Sequence, residues 1–361
     1  MKRMKKAIVF IFLLSSFAPI LFGQDKPLTQ AEYVKMLYGL QKNPSGKATI
    51  VEALRKRGIE FVVTDGIRSL TRSKAANDDE LKRALEEADR RRQNPASTKL
   101  PSQAESEAIL AKAREATLLA LDEMPDFVVK QRITRSAAYA GTGNWRPYSN
   151  LVIAVSYSTE KGEQYQVLVL DGARVDAQKG SNYGGLTGAT TAGEFVENLQ
   201  KLFKPESKTK FEVSETDVVG NRQALVFTYQ INIENNKNGG VVYRNVLTQS
   251  SPAGEVGKIW VDREAFRILR LEFNLTDIER GFPITAFQSS TDYDWVKIAD
   301  ENYLLPAKSD AKFTVRESNI LTQQRNVILF RNYQKYGSEV RVLDDDITPT
   351  PEPTPTPTKP D

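Results

Sequence analysis

The strongest constraint on this chain is a two-residue alternation in residues 258–274, KIWVDREAFRILRLEFN. Ile259 and Val261 fall on one face, and Leu269, Leu271 and Phe273 alternate with Arg270, Glu272 and Asn274. A period of two places apolar side chains on one side of a sheet and polar ones on the other. Asp262-Arg263-Glu264 supplies a polar turn between the arms, so the stretch reads as a tight β-hairpin. Similar runs occupy residues 127–134, 151–157, 164–170, 210–215, 225–233, 241–247, 286–298, 303–315 and 325–333. Turn chemistry separates them, at Glu160-Lys161-Gly162, Asp171-Gly172, Gly220-Asn221, residues 235–240 and Pro252-Ala253-Gly254. The expectation is a long antiparallel sheet in meander order.

The chain of 361 residues begins with Lys2, Arg3, Lys5 and Lys6 and continues through a run, residues 7–22, that is apolar apart from Ser15 and Ser16. A charged start followed by an apolar run predicts a secretory signal peptide over residues 1–23, with a mature N-terminus near Gln24. The competing reading, a retained anchor, needs roughly 20 apolar residues to span a bilayer. Removing the segment takes four basic residues and no acids, so the formal +4 falls to zero. That balance gives no footprint for nucleic acid. The sequence holds no Cys, which excludes both disulfides and lipid attachment at a lipobox.

Capping boxes place helices before the sheet. Thr29-Gln30-Ala31-Glu32 opens one to about Gln41, and a second near residues 46–57 ends in Arg55-Lys56-Arg57 before Gly58. The pattern recurs, with Val63-Thr64 echoing Leu28-Thr29, so residues 24–93 are expected to form two helix-turn-helix units. Residues 94–101 read as a linker. Ser102 then opens a helix with Ile109, Ala113, Ala116 and Ala120 on its stripe, and Thr191 to Glu194 opens another that runs to about Phe203. Residues 338–361 alternate Pro with Thr and are expected to form a disordered tail. Helices leading into a meander make the fold class α+β.

Catalytic signatures are scarce. With no His, the Ser-His-Asp and Cys-His mechanisms, the common zinc sites and His proton shuttles all fall away. Asp292 and Asp294, two apart on a strand, are a candidate carboxylate pair, although alternating Asp on an antiparallel strand is more often the mark of a solvent face. The loop Gly184-Gly185-Leu186-Thr187-Gly188 lacks the Lys-Ser/Thr ending of a phosphate cradle. No metal or cofactor is expected. What remains is aromatic and apolar strand surface, which reads either as sheet core or as the wall of an apolar pocket.

The segments GKIWVDREAFRILRLEF, DYDWVKIADENYLLPAKS and NVILFRNYQKY, with a helix before the strands and another inserted before the middle ones, resemble the outer-membrane-lipoprotein-sorting family. These are the LolA/LolB-like half-barrels, and the resemblance covers residues 102–336. It implies a curved half-barrel over residues 102–337 with helices on its concave face, and binding of lipidated or apolar partners. The lining so implied is Leu225, Phe227, Tyr229, Trp260, Leu269, Leu271 and Phe273. The leading expectation is a non-enzymatic periplasmic or secreted binding protein for a lipid, acyl chain or lipoprotein segment. An envelope interaction module working through the helical bundle is the alternative, and a carboxylate hydrolase the third. Peripheral membrane contact is compatible with the first.

Overall fold

The structure, a computed structural model, describes residues 26–336 apart from 96–98, 176–182, 184–185, 187–189, 191–192, 238, 245–247 and 318–319. The expected signal peptide, the Pro-Thr tail and most of the glycine loop lie outside the described residues.

Four helices come first: α1 (Gln30–Gly39), α2 (Lys47–Arg57), α3 (Asp65–Lys74) and α4 (Asp79–Gln93). Their starts are fixed by side chains that satisfy orphan helix-end amides. Thr29 Oγ1 accepts from Glu32 N at 3.1 Å while Glu32 Oε2 accepts from Thr29 N at 2.9 Å. Thr64 and Asp78 do the same for Ile67 and Leu81. Gly58 stops α2 at φ 67°, a left-handed value that costs a residue without Cβ little. Leu28, Tyr33, Leu37, Leu54, Leu81 and Leu85 form the bundle's own core. Within it Tyr33 shares a hydrogen bond with Thr71, and burial pushes the phenol up to about 12.

After α5 (Gln103–Asp122) the chain turns to strands. β1 (Phe127–Tyr139), β2 (Arg146–Ser158), β3 (Gly162–Leu170) and the short β4 (Ala173–Arg174) form one meander. The seven-residue α6 (Glu197–Phe203) follows. β5 (Lys210–Val219), β6 (Arg222–Ile231), β9 (Gly254–Asp262), β10 (Ile268–Thr276), β11 (Ile284–Ile298), β12 (Glu301–Glu317) and β13 (Ile320–Lys335) form the second meander. Between β6 and β9, β7 (Gly240–Arg244) and β8 (Thr248–Pro252) make a separate hairpin.

The large sheet has eleven strands in the order β4-β3-β2-β1-β13-β12-β11-β10-β9-β6-β5, every pair antiparallel and both edges open. It is therefore not one continuous meander. The last strand lies beside the first, with Gln131 opposite Phe330 and Ile133 opposite Ile328. Alternation tells which face a strand buries and leaves open which strand lies beside it. The connection carrying α6 accordingly leads from one edge strand, β4, to the other, β5. Register shifts at Arg135/Ser136, Val213/Glu215, Ile268/Arg270 and Asp292/Tyr293 are bulges, which bend strands and raise their twist.

Three sequence expectations change in detail. β8 occupies the stretch expected to lead into a turn at Pro252, and β7 covers 241–244 of the strand expected over 241–247, whose last three residues lie outside the described residues. α6 starts at Glu197, not at Ala192. Val196 at its N-cap offers no side-chain acceptor, and Thr191 lies outside the described residues. On α5 the buried stripe runs Ile109, Ala113, Thr117, Leu121. The expected Ala116 and Ala120 lie at its margin, half-buried.

The sheet is covered on both sides. α5 and α6 pack on the concave face in one apolar core with Phe127, Ile133, Leu225, Phe227, Leu271 and Phe330. The four-helix bundle docks on the opposite, convex face, and there the contact is ionic. Arg83 reaches Asp292 at 3.2 Å and Glu272 at 3.1 Å, and Arg55 also reaches Glu272 at 3.1 Å. Arg270, buried on β10, pairs with both Glu87 of α4 and Asp292. Arg91 reaches Asp217 at 3.1 Å, whose other oxygen accepts from Trp260 Nε1 at 2.9 Å. A polar cavity of about 140 Å³ remains in this seam, lined among others by Arg55, Arg83, Glu272 and Lys312.

Candidate functional site

The concave face is built by strand register. Leu225 lies opposite Val261, Phe227 opposite Ile259 and Ile259 opposite Leu271, so all five point to one side. Tyr229 and Phe273 both flank Gly257 on that side. A Cβ at Gly257 would sit 2.2 Å from the Glu272 carbonyl and 2.7 Å from the Tyr229 ring. Only glycine permits that approach, and the ring's position carries its hydroxyl to Glu255.

Of the seven residues expected to line the site, five share the concave face in register: Leu225, Phe227, Tyr229, Leu271 and Phe273. Leu269 falls in the β10 bulge, buried in the same core. Trp260 does not belong with them. It is paired with Val226 and Arg270 on the convex face, where its indole hydrogen-bonds Asp217 and the Arg270 guanidinium lies 5.2 Å from its ring. The reason is the alternation itself, since Ile259 and Val261 on either side of Trp260 point to the concave face.

These residues are packed. Leu271 is 1% exposed and Phe273 7%, and Phe273 meets the Phe287 ring at 5.6 Å. The cover is supplied by α5 through Ile109, Ala113 and Leu121, and by α6 through Leu199, Leu202 and Phe203. A cavity of about 20 Å³ remains between α5, α6 and the β9–β10 and β11–β12 turns. That is room for roughly one water molecule. Its walls include Thr117, Leu121, Phe195, Leu199, Arg267, Ile268, Tyr293 and Leu305, and none of the seven expected residues.

Inside this apolar setting lies an ion pair. Lys201 of α6 reaches down to Glu255, a fully buried carboxylate that also accepts from Tyr229 Oη at 2.6 Å. The Lys201 ammonium stands 5.0 Å over the Phe273 ring. Burial first, and then the Glu255 charge, push the Tyr229 phenol well above its ordinary value. Nearer the β3 edge, Glu163 accepts from Tyr165 and from Gly193 N, and burial pushes its carboxyl up. No linear signal could reveal these partners, because Lys201 and Glu255 lie 54 positions apart and on different kinds of element. Thr117 was equally hidden, as a polar residue inside a helical stripe.

The candidate carboxylate pair does not assemble. Asp292 is taken up by Arg270 and Arg83 in the convex seam, while Asp294 is exposed and accepts from the Trp295 amide. Among the described residues no group of three or more His, Cys, Asp or Glu could hold a metal ion. Among them, too, no helix is long and apolar enough to cross a membrane.

No family model matches the chain, and no curated protein matches it. Solved structures do. A LolA superfamily protein from Nitrosomonas europaea aligns over 67% of this chain and 97% of its own, at 11% identity and a TM-score of 0.31. A DUF1329 family protein from Desulfovibrio piger covers 64% and 95%, at 8% identity and 0.26. The Mycobacterium tuberculosis lipoprotein LppX covers 65% and 99%, at 8% identity and 0.23.

Proposed function

We propose that the protein is a non-enzymatic binding protein of the bacterial envelope, exported to the periplasm or beyond, that shelters an acyl chain or other elongated apolar ligand between the concave face and α5 and α6. The observation that carries this reading is the nature of the cover. Strands hold one another by backbone ladders, but among the described residues no backbone hydrogen bond ties α5 or α6 to the sheet. α6 has only seven residues and no side-chain cap, too short to be stable by itself. Leu199, Leu202 and Phe203 occupy the concave face much as a ligand's methylenes would, and the Lys201–Glu255 pair is the polar tie. Lifting α6 exposes a continuous apolar wall of Leu225, Phe227, Leu271 and Phe273, the usual form of a pocket for apolar ligands.

The test is binding of a fluorescent fatty acid to the mature chain. The parent is expected to bind it, with hydrogen exchange in α6 faster than in β9 and β10 and slowed by the ligand. Lys201→Met combined with Glu255→Gln removes the tie without stranding a charge. It is expected to raise the association rate by roughly tenfold, the effect of about 1.4 kcal/mol on opening. A parent that binds no apolar probe, with α6 exchanging as slowly as the sheet, overturns this reading.

A second reading, an envelope interaction module with a filled half-barrel, is favoured by one observation. Leu225, Leu271 and Phe273 are buried, and the cavity between α5, α6 and the sheet is only about 20 Å³. Under this reading the partner is a protein, engaged through the convex bundle.

A further inference from the structure

The mouth of the concave cavity holds two donors that the fold leaves without acceptors. Arg267 ends the β9–β10 turn, whose geometry is set by Asp262: its backbone N–H donates to the Arg267 carbonyl at 2.9 Å, and its carboxylate accepts from the Glu264 and Ala265 amides. That carboxylate is also paired with Arg222, so it is not available to Arg267. Among the described residues the Arg267 guanidinium makes no ion pair. The Trp295 ring lies 5.8 Å away, and burial pulls the pKa of Arg267 down. Arginines on the convex face are treated differently, since Arg55, Arg83, Arg91 and Arg270 each have a carboxylate.

Thr117 lies across the same cavity. It is 4% exposed, and its hydroxyl has no hydrogen-bond partner at all, although a helical threonine usually bonds a carbonyl one turn back. A buried polar group without a partner costs free energy, and a group bound in the cavity it faces would supply one. Around both donors the cavity wall is apolar: Leu121, Leu199, Ile268 and Leu305. A further cation, Lys112 of α5, stands 4.7 Å over the ring of Phe266, the residue beside Arg267.

We propose that Arg267 and Thr117 form a head-group subsite for a carboxylate-bearing amphiphile, with the carboxylate on the guanidinium at the cavity mouth and the chain running beneath α5 and α6. The guanidinium fork matches the two oxygens of a carboxylate, and the Thr117 hydroxyl can donate to one of them. Trp295 keeps the guanidinium plane in place and shields one face from water. This inference rests on the apolar-ligand reading above and adds the chemical class of the ligand.

The experiment compares dodecanoic acid, dodecanol and dodecyl phosphate, each below its micelle concentration, by displacement of a neutral apolar fluorophore from the mature chain. In the parent the acid is expected to bind about tenfold more tightly than the alcohol, the order of a charge-assisted hydrogen-bonded pair. Arg267→Gln should abolish that preference through weaker binding of the acid, with the melting temperature unchanged. Arg267→Lys should keep part of it, and Thr117→Val should reduce acid binding by about two- to threefold. Acid and alcohol binding equally to the parent would overturn the subsite and leave the apolar site standing. A preference surviving in Arg267→Gln would overturn it as well, and so would dodecyl phosphate binding more tightly than the acid. If none of the three binds, both proposals fall.

Discussion

Arg270→Leu is expected to destabilise the protein by about 3–5 kcal/mol, the usual cost of stranding buried partners of an ion pair. Arg270 is 3% exposed, and its removal leaves Glu87, itself 1% exposed, and Asp292 facing each other without the cation between them. Urea unfolding followed by Trp fluorescence measures this directly, since Trp260 lies against Arg270. A loss below about 1 kcal/mol, the range of exposed pairs, would mean that water enters the seam freely. The companion variant Glu87→Gln should lose less, because the Arg270 charge keeps Asp292. The same seam sets an acid limit. Burial alone would raise the Asp292 carboxyl, but Arg270 and Arg83 outweigh it and hold it below the ordinary carboxylate range. Asp310 is held down in the same way by Arg325. A carboxyl whose folded pKa is depressed contributes stability above its unfolded value, about 3.9 for Asp, and that stability is lost as pH falls through the folded value. With no His in the chain, stability should therefore vary little between pH 6 and 8 on account of these groups, and fall below about pH 4.

Leu271→Glu is expected to prevent stable folding, and Leu271→Ala to cost about 2–5 kcal/mol. Leu271 follows Arg270 directly and faces the other way, into the apolar core with Ile259 and Phe227. At 1% exposure it has no route to water for a carboxylate. Thermal unfolding of the Ala variant and solubility of the Glu variant are the measurements. If Leu271→Glu folds with a small loss, the cover over the concave face opens readily enough to solvate a charge. That outcome would itself favour a mobile α6 and an accessible ligand site. The two variants, one residue apart, separate the two sides of the sheet: one removes a charge that the fold requires, the other inserts a charge that the fold cannot accept.

Much of this arrangement is legible in the linear pattern. The capping residues Thr29, Thr64 and Ser102 mark helix starts, and a period of two marks the strands, because both signals arise from local backbone geometry. The α+β class follows from their order along the chain. The concave residues Leu225, Phe227, Tyr229, Leu271 and Phe273 were likewise readable, since each belongs to an alternating run. Trp260 faces away from that lining. Between Ile259 and Val261 it can only face the other side, and there it serves the ionic seam.

Other features depended on which strands and helices meet. That β13 lies beside β1, and that the α6 connection joins the two edges of the sheet, follows from pairing between distant segments. Alternation is the same for every possible neighbour. The convex seam could not be read either, because Arg83, Arg91 and Arg270 look like solvated charges until Glu272, Asp217 and Glu87 are brought against them from positions up to 189 residues away. The same holds for Arg267 and Thr117, a turn arginine and a helical threonine whose only sequence signal is ordinary. What sets them apart is that neither has a hydrogen-bond acceptor among the described residues, and that is a property of the assembled surroundings and of no single stretch of chain.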